Sequence, residues 1–191
     1  MKSDVIAVSS RNDQTERILQ QTERVADYCG LSGKSALHLR LLAEEMMSMM
    51  RAIDGDTAGE FWIEAEAGQF ALHLQVKTNM DAEAREKLLS ASSSGKNEAD
   101  RGFMGKLRAF FEPVDGLPLY FDMNPDGIYS DAAWTMRSYQ LALEQRLAQN
   151  LHGAHEAWDE LEKSVIAHVA DDIKISIRGR DVEMTVLKQL A

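Results

Sequence analysis

Two stretches of alternating sequence constrain this chain more than anything else in it. In "QFALHLQVKT" (69–78) Phe70, Leu72, Leu74 and Val76 alternate with polar or small residues. That is the period of a strand with one buried face. "GEFWIEAEAG" (59–68) precedes it directly, and Gly68 lies between the two runs. The pair predicts an antiparallel hairpin. The chain closes with the same pattern, "DIKISI-RGRD-VEMTVLKQL" (172–190), two alternating runs around a glycine-containing turn. Two such hairpins create a one-sided apolar sheet, which must be covered by another layer.

The remaining periodicity supplies that layer. "VIAV" (5–8) reads as a short first strand. From Gln14 to Cys29 the residues Ile18, Thr22, Val25, Ala26 and Cys29 recur at helical spacing, and Gly30 is a suitable stop. Ser32 or Ser35 can cap a second helix over about 34–53, which ends at "DGD". "DAEAREKLL" (81–89) predicts a short helix, and the small, polar stretch 90–102 predicts a loop. "FMGKLRAFF" predicts a helix stopped near Pro113, and "GLPLYFDMNPDG" a strand before a Pro-Asp-Gly turn. A helix over about 131–149 carries Met136, Tyr139, Leu143 and Leu147 on one face and is broken by Gly153. "EAWDELEKSVIAHVA" predicts a further helix. The expected fold is α+β: a two-layer sandwich of a mainly antiparallel mixed sheet with helices on one face. The 191 residues are expected to form a single domain, 1–191.

Composition narrows the function. A formal net charge of -10 and a pI near 5.0 repel phosphate backbones, and the basic residues are dispersed, so no nucleic-acid partner is expected. No apolar run approaches the ~18 residues of a membrane span, and the first residues lack the pattern of a signal peptide. One cysteine, Cys29, excludes an intrachain disulfide and a cysteine-based zinc cluster. A cytoplasmic protein is expected.

The second helix holds the candidate chemistry. In "LLAEEMMSMMRAIDGD" (41–56), Leu39, Leu42, Met46, Met49 and Ile53 form one stripe at about 100° per residue. Glu44 points away from it. Glu45 falls at its edge, between Leu42 and Met49. It is either a boundary residue reaching water or a carboxylate at a pocket lip, where desolvation would tune it as a general base.

The order strand, helix, helix with a central glutamate, then hairpin resembles the GHKL (Bergerat-fold) ATPases, and most closely the anti-sigma-factor serine kinases and histidine-kinase-like ATP-binding domains. In that family the second helix carries an E-x-x-x-N box. Glu45 matches its catalytic glutamate, and Met49 stands where the magnesium-binding asparagine belongs. The adenine-reading D-x-G-x-G box has no intact counterpart: Thr78, followed by Asn79, falls near its aspartate. The glycine-rich lid is similar in character to "SSSGKNEADRGFMGKL", with Gly95, Lys96, Gly102, Gly105 and Lys106. The likeness covers 1–112 and 170–191, leaving 113–169 as a mainly helical insertion. It implies an ATP-binding regulatory protein, with ATPase or serine/threonine kinase chemistry based on Glu45, ATP with Mg²⁺ as cofactor, and a protein partner such as a sigma or anti-anti-sigma factor. The extra helices would cover the sheet, mediate a homodimer or meet the partner. The alternative is a degenerate, non-catalytic interaction module on the same fold. Met49 favours it, because a soft thioether replaces the oxygen ligand that Mg²⁺ prefers. So does Thr78, which lacks the charge of an aspartate. The 90–106 glycines form no P-loop, since Ser90 and Asn97 replace the required Gly and Ser/Thr.

Other conspicuous residues have plainer explanations. The methionines 46, 47, 49 and 50 read as core filling, with Met47 and Met50 off the central stripe and available for a second contact. His152 and His155 are interrupted by Gly153, so no zinc site is expected. Cys29 reads as a small core residue. Trp134 and Trp158 read as anchors between the extra helices and the sheet. "DELEK" (159–163) reads as a solvated face, and Asp171–Asp172 as turn chemistry.

Overall fold

The computed structural model describes residues 1–11, 14–51, 57–77, 132–151, 153–178 and 181–190. The elements are β1 (Ile6–Ser9), α1 (Thr15–Tyr28), α2 (Gly33–Arg51), β2 (Ala58–Glu66), β3 (Gln69–Lys77), β4 (Ala132–Thr135), α3 (Met136–Ala148), α4 (Ala154–Lys163), α5 (Val165–Val169), β5 (Asp172–Arg178) and β6 (Asp181–Gln189). The helix expected over 81–89, the helix near 103–112 and the strand in 116–127 lie outside the described residues, as does Ile53.

Among the described residues the strands form one sheet in the order β1-β2-β3-β6-β5-β4. Both predicted hairpins are present, and β3 and β6 join them at the centre of the sheet, with Leu72 opposite Val186 and Leu74 opposite Met184. A mixed sheet was the expectation; every described pairing is antiparallel. The tight turns impose this on β2–β3 and β5–β6; β1–β2, β3–β6 and β4–β5 are antiparallel although their long connections would allow either sense.

Alternation then sorts the two faces. Ile6, Phe61, Ile63, Phe70, Leu72, Leu74, Val182, Met184, Val186, Ile173 and Ile175 are buried in one cluster with the inward residues of all five helices. The helices therefore cover one face, giving a two-layer α+β architecture. Lys188, on the same face near the end of β6, is satisfied by Asp171, whose carboxylate accepts from Lys188 Nζ at 2.7 Å and from Gln189 N–H at 2.6 Å.

Local chemistry fixes the helix ends. At the end of α1, Gly30 adopts φ +72°, its N–H donates to Asp27 O, and Leu31 N–H donates to Ala26 O at 2.9 Å. This is a Schellman closure, and Leu31 and Ala26 are both buried against the core. It also corrects the expectation for Cys29. The chain turns at Gly30, Leu31 takes the apolar place, and Cys29 is left exposed. Thr22, fully buried in mid-helix, is satisfied by donating to Ile18 O at 2.8 Å.

The segment 132–151 also departs from its expected single helix. Residues 132–135 pair with β5 as the last strand of the described sheet, and α3 starts only at Met136. Thr135 makes the switch: its hydroxyl accepts from Ser138 N–H at 3.1 Å, an N-cap. Met136, Tyr139 and Leu143 are buried as expected, while Leu147 is half-buried. Gly153 does not end this helix. Asn150 does, at φ +51°, with Leu151 N–H donating to Arg146 O at 3.1 Å; Gly153 instead caps the start of α4. Trp158 packs against the core as expected. Trp134 falls in β4, and its side chain is not among those described.

Candidate functional site

Helix α2 lies with Leu39, Leu42, Ala43, Met46, Met47, Met49 and Met50 buried. Glu44 is exposed and Glu45 half-buried, as the 3.6-residue period predicts. Met47 and Met50 are 3% and 1% exposed, so the second contact surface inferred for them is core. Met49 is 3% exposed and belongs to the same cluster. Its thioether therefore packs against apolar side chains. Thr78, Asn79, Gly95, Lys96, Gly102, Gly105 and Lys106 lie outside the described residues. Of the nucleotide-site candidates, only Glu45 and Met49 are described, one turn apart on α2. No group of three or more His, Cys, Asp or Glu side chains suited to a metal ion occurs among the described residues. No described helix is long and apolar enough to cross a membrane.

A second constellation stands on the sheet face opposite the helices. Strand register aligns Trp62 of β2, His73 of β3 and Thr185 of β6 in one row. The Trp62 and His73 rings stack, with centroids 4.7 Å apart and planes 2° from parallel. His73 Nδ1 lies 2.7 Å from Glu183 Oε1 and 3.3 Å from Thr185 Oγ1. Its Nε2 is buried with no hydrogen-bond partner, 3.9 Å from Glu64 Oε2. Glu64 is held in turn by Lys2 Nζ at 3.0 Å and by the Trp62 indole N–H at 3.0 Å. Those two hydrogen bonds, Lys2 first, lower the Glu64 pKa; burial opposes them, and attraction to His73 and Lys2 adds to them.

The N-terminal segment brings Lys2 to this place. It runs beside β2, with Ser3 N–H donating to Ile63 O at 2.8 Å and Ala65 N–H donating to Met1 O at 2.9 Å. Lys2 Nζ sits 4.7 Å from the Trp62 ring centroid, a cation–π contact. The cluster thus links the N-terminal segment, β2, β3 and β6 through one imidazole.

Sequence reasoning missed this cluster. Period two already places Trp62 and Glu64 on one face of their strand, and Glu183 and Thr185 on one face of theirs. The missing fact was that β3 pairs with β6 in the register that sets His73 opposite Thr185. A third feature is a groove of about 210 Å³ among α3, α4 and α5, lined by Gln140, Trp158, Leu161, Glu162, Ala167 and His168. The Trp158 indole donates to Glu162 Oε1 at 2.7 Å across its wall.

No family model matches this chain, and neither the curated proteins nor the solved structures yield a match.

Proposed function

We propose that this protein is an ATP-binding regulator of the GHKL type, acting through nucleotide-dependent protein interaction. The observation that carries this reading is α2: a helix following a strand and a helix and preceding a hairpin, with Glu45 half-buried at its middle beside an otherwise apolar face. A carboxylate so placed is partly desolvated, which suits a group that orients or activates a polar ligand atom. The two-layer arrangement of a sheet with helices on one face, seen among the described residues, is compatible with a Bergerat-like frame. The partner proposed by analogy is a sigma or anti-anti-sigma factor.

One observation favours the second reading, a non-catalytic interaction module without functional ATP binding. Met49 occupies the position of the family's metal ligand and is 3% exposed within the core. Its thioether is a poor ligand for Mg²⁺, which takes oxygen donors.

Calorimetry and thermal melts with Mg-ATP separate the two. Under the first reading, ligand at about one hundred times its Kd stabilises by about 2.7 kcal/mol and raises Tm by roughly 5–10 °C. Glu45→Ala then removes any residual turnover while sparing affinity. No heat of binding and no shift at millimolar Mg-ATP would leave the interaction module as the surviving function.

A further inference from the structure

We propose that His73 and its neighbours form a proton-operated latch across β2, β3 and β6. The Nδ1 nitrogen faces a carboxylate at 2.7 Å, so in the neutral ring the proton belongs on Nδ1 and is donated to Glu183. Nε2 is then an acceptor, buried and unpartnered, 3.9 Å from the Glu64 carboxylate, which is itself an acceptor. Two acceptors facing each other do not bond. Adding a proton to Nε2 converts that idle contact into a donor–acceptor pair. The imidazolium then donates to Glu183 on one side and, after a short approach, to Glu64 on the other. Strands β2 and β6 thereby become joined through β3 by side chains as well as by the ladder.

Among the described residues, the titratable groups on this face of the sheet are Lys2 from the N-terminal segment, Glu60, Glu64 and Glu66 from β2, Lys77 from β3, Asp181 and Glu183 from β6, and Asp172 and Lys174 from β5. The groups in direct contact are two carboxylates against one ammonium. A proton on His73 neutralises that surplus. The Trp62 face stacked on the ring adds an attraction to the charged imidazole that the neutral one lacks. Imidazole is the side chain that ordinarily changes charge between pH 5 and 8, which sets the range over which the latch is tested.

The stacked indole makes the device readable, because imidazolium in contact with indole quenches its emission more than neutral imidazole does. The expected result is a rise in tryptophan emission between pH 5 and 8 in a Trp158→Phe background, absent when His73→Gln is added. Identical pH profiles with and without His73 would overturn the proposal. If His73→Gln fails to fold, ¹⁵N spectra of the imidazoles of the unaltered protein decide. The latch requires Nδ1–H as the neutral tautomer of His73, and an Nε2–H tautomer would overturn it. A double-mutant cycle of His73→Gln with Glu64→Gln in urea gives the third arm. Coupling should amount to a factor of about two to five in the folding equilibrium at pH 5.5 and vanish at pH 8.5. Equal coupling at both values would make the contact merely structural. None of these readouts involves ATP, so the latch and the nucleotide-binding proposal fail separately.

Discussion

The sharpest perturbation is Met49→Asn, which places in α2 the residue type that the GHKL ATPases keep as a magnesium ligand. Met49 is 3% exposed within the continuous core. Removing its apolar side chain forfeits about 1.5–3 kcal/mol of burial. Asparagine is also shorter and leaves part of that volume empty. Its amide then sits among apolar neighbours, at a cost of about 1–3 kcal/mol when no hydrogen-bond partner is found. The combined loss is on the order of 3–5 kcal/mol, in the upper part of the span seen for truncating a buried methionine. For a chain of this size each kcal/mol moves the melting point by about 2–4 °C, so Tm should fall by roughly 6–20 °C. Urea unfolding followed by circular dichroism gives the free energy, and a thermal melt with and without Mg-ATP gives the second axis. A loss under about 1 kcal/mol would refute the core assignment. So would a gain of Mg-ATP stabilisation in the variant, because it would show that position 49 faces a ligand.

Three further outcomes follow from geometry. Gly59→Ala should destabilise β2 against β3, since a Cβ there would stand 2.4 Å from Gln75 O and 2.9 Å from Val76 Cγ2; unchanged stability would contradict that register. Acid should destabilise the sheet through Glu64 and Asp171, both of which titrate below their ordinary values. For Glu64 the Lys2 and Trp62 hydrogen bonds dominate. For Asp171 burial pushes upward but is outweighed by the hydrogen bonds from Lys188 and Gln189 and by the Lys188 charge. A carboxylate whose folded value is depressed contributes stability that is present above its unfolded value and lost as pH falls through the folded one. The loss therefore lies below about pH 5. Lys188→Met should flatten this part of the acid limb in a urea titration, and an unaltered slope would remove Asp171 from it. Glu45→Gln, a half-buried boundary change, should alter stability by less than about 0.5 kcal/mol in denaturant melts, so that any functional effect it has is not a folding effect.

What was legible in the sequence is what a single period can carry. Both hairpins, the buried side of α2 and the contrast between Glu44 and Glu45 come from one strand or helix at a time. At Cys29 the helical period misleads, because α1 ends at Tyr28 and Gly30, in its left-handed conformation, turns the chain and hands the apolar place to Leu31. Residues 132–135 read as part of α3 because a four-residue strand is too short to show its own period against the thirteen-residue helix behind it. The His73 cluster needs the pairing of β3 with β6, residues more than a hundred positions apart, and no local pattern encodes which strands of two hairpins will meet.

The pair Glu45 and Met49 illustrates why position in a motif and chemistry must be argued separately. Four residues along a helix turn the side chain by about 40°, so the two lie on neighbouring sides of α2. That small rotation carries position 45 to the half-buried boundary and position 49 into the core. A ligand that reaches Glu45 must therefore approach from its exposed flank, with Met49 beneath as packing rather than beside it as a ligand. Any metal accompanying a nucleotide would have to take its oxygens from elsewhere, from the phosphates, from water or from Glu45 itself. Glu45 and Met49 thus separate experimentally: changing the first tests function at nearly constant stability, and changing the second tests the core on which the first is mounted.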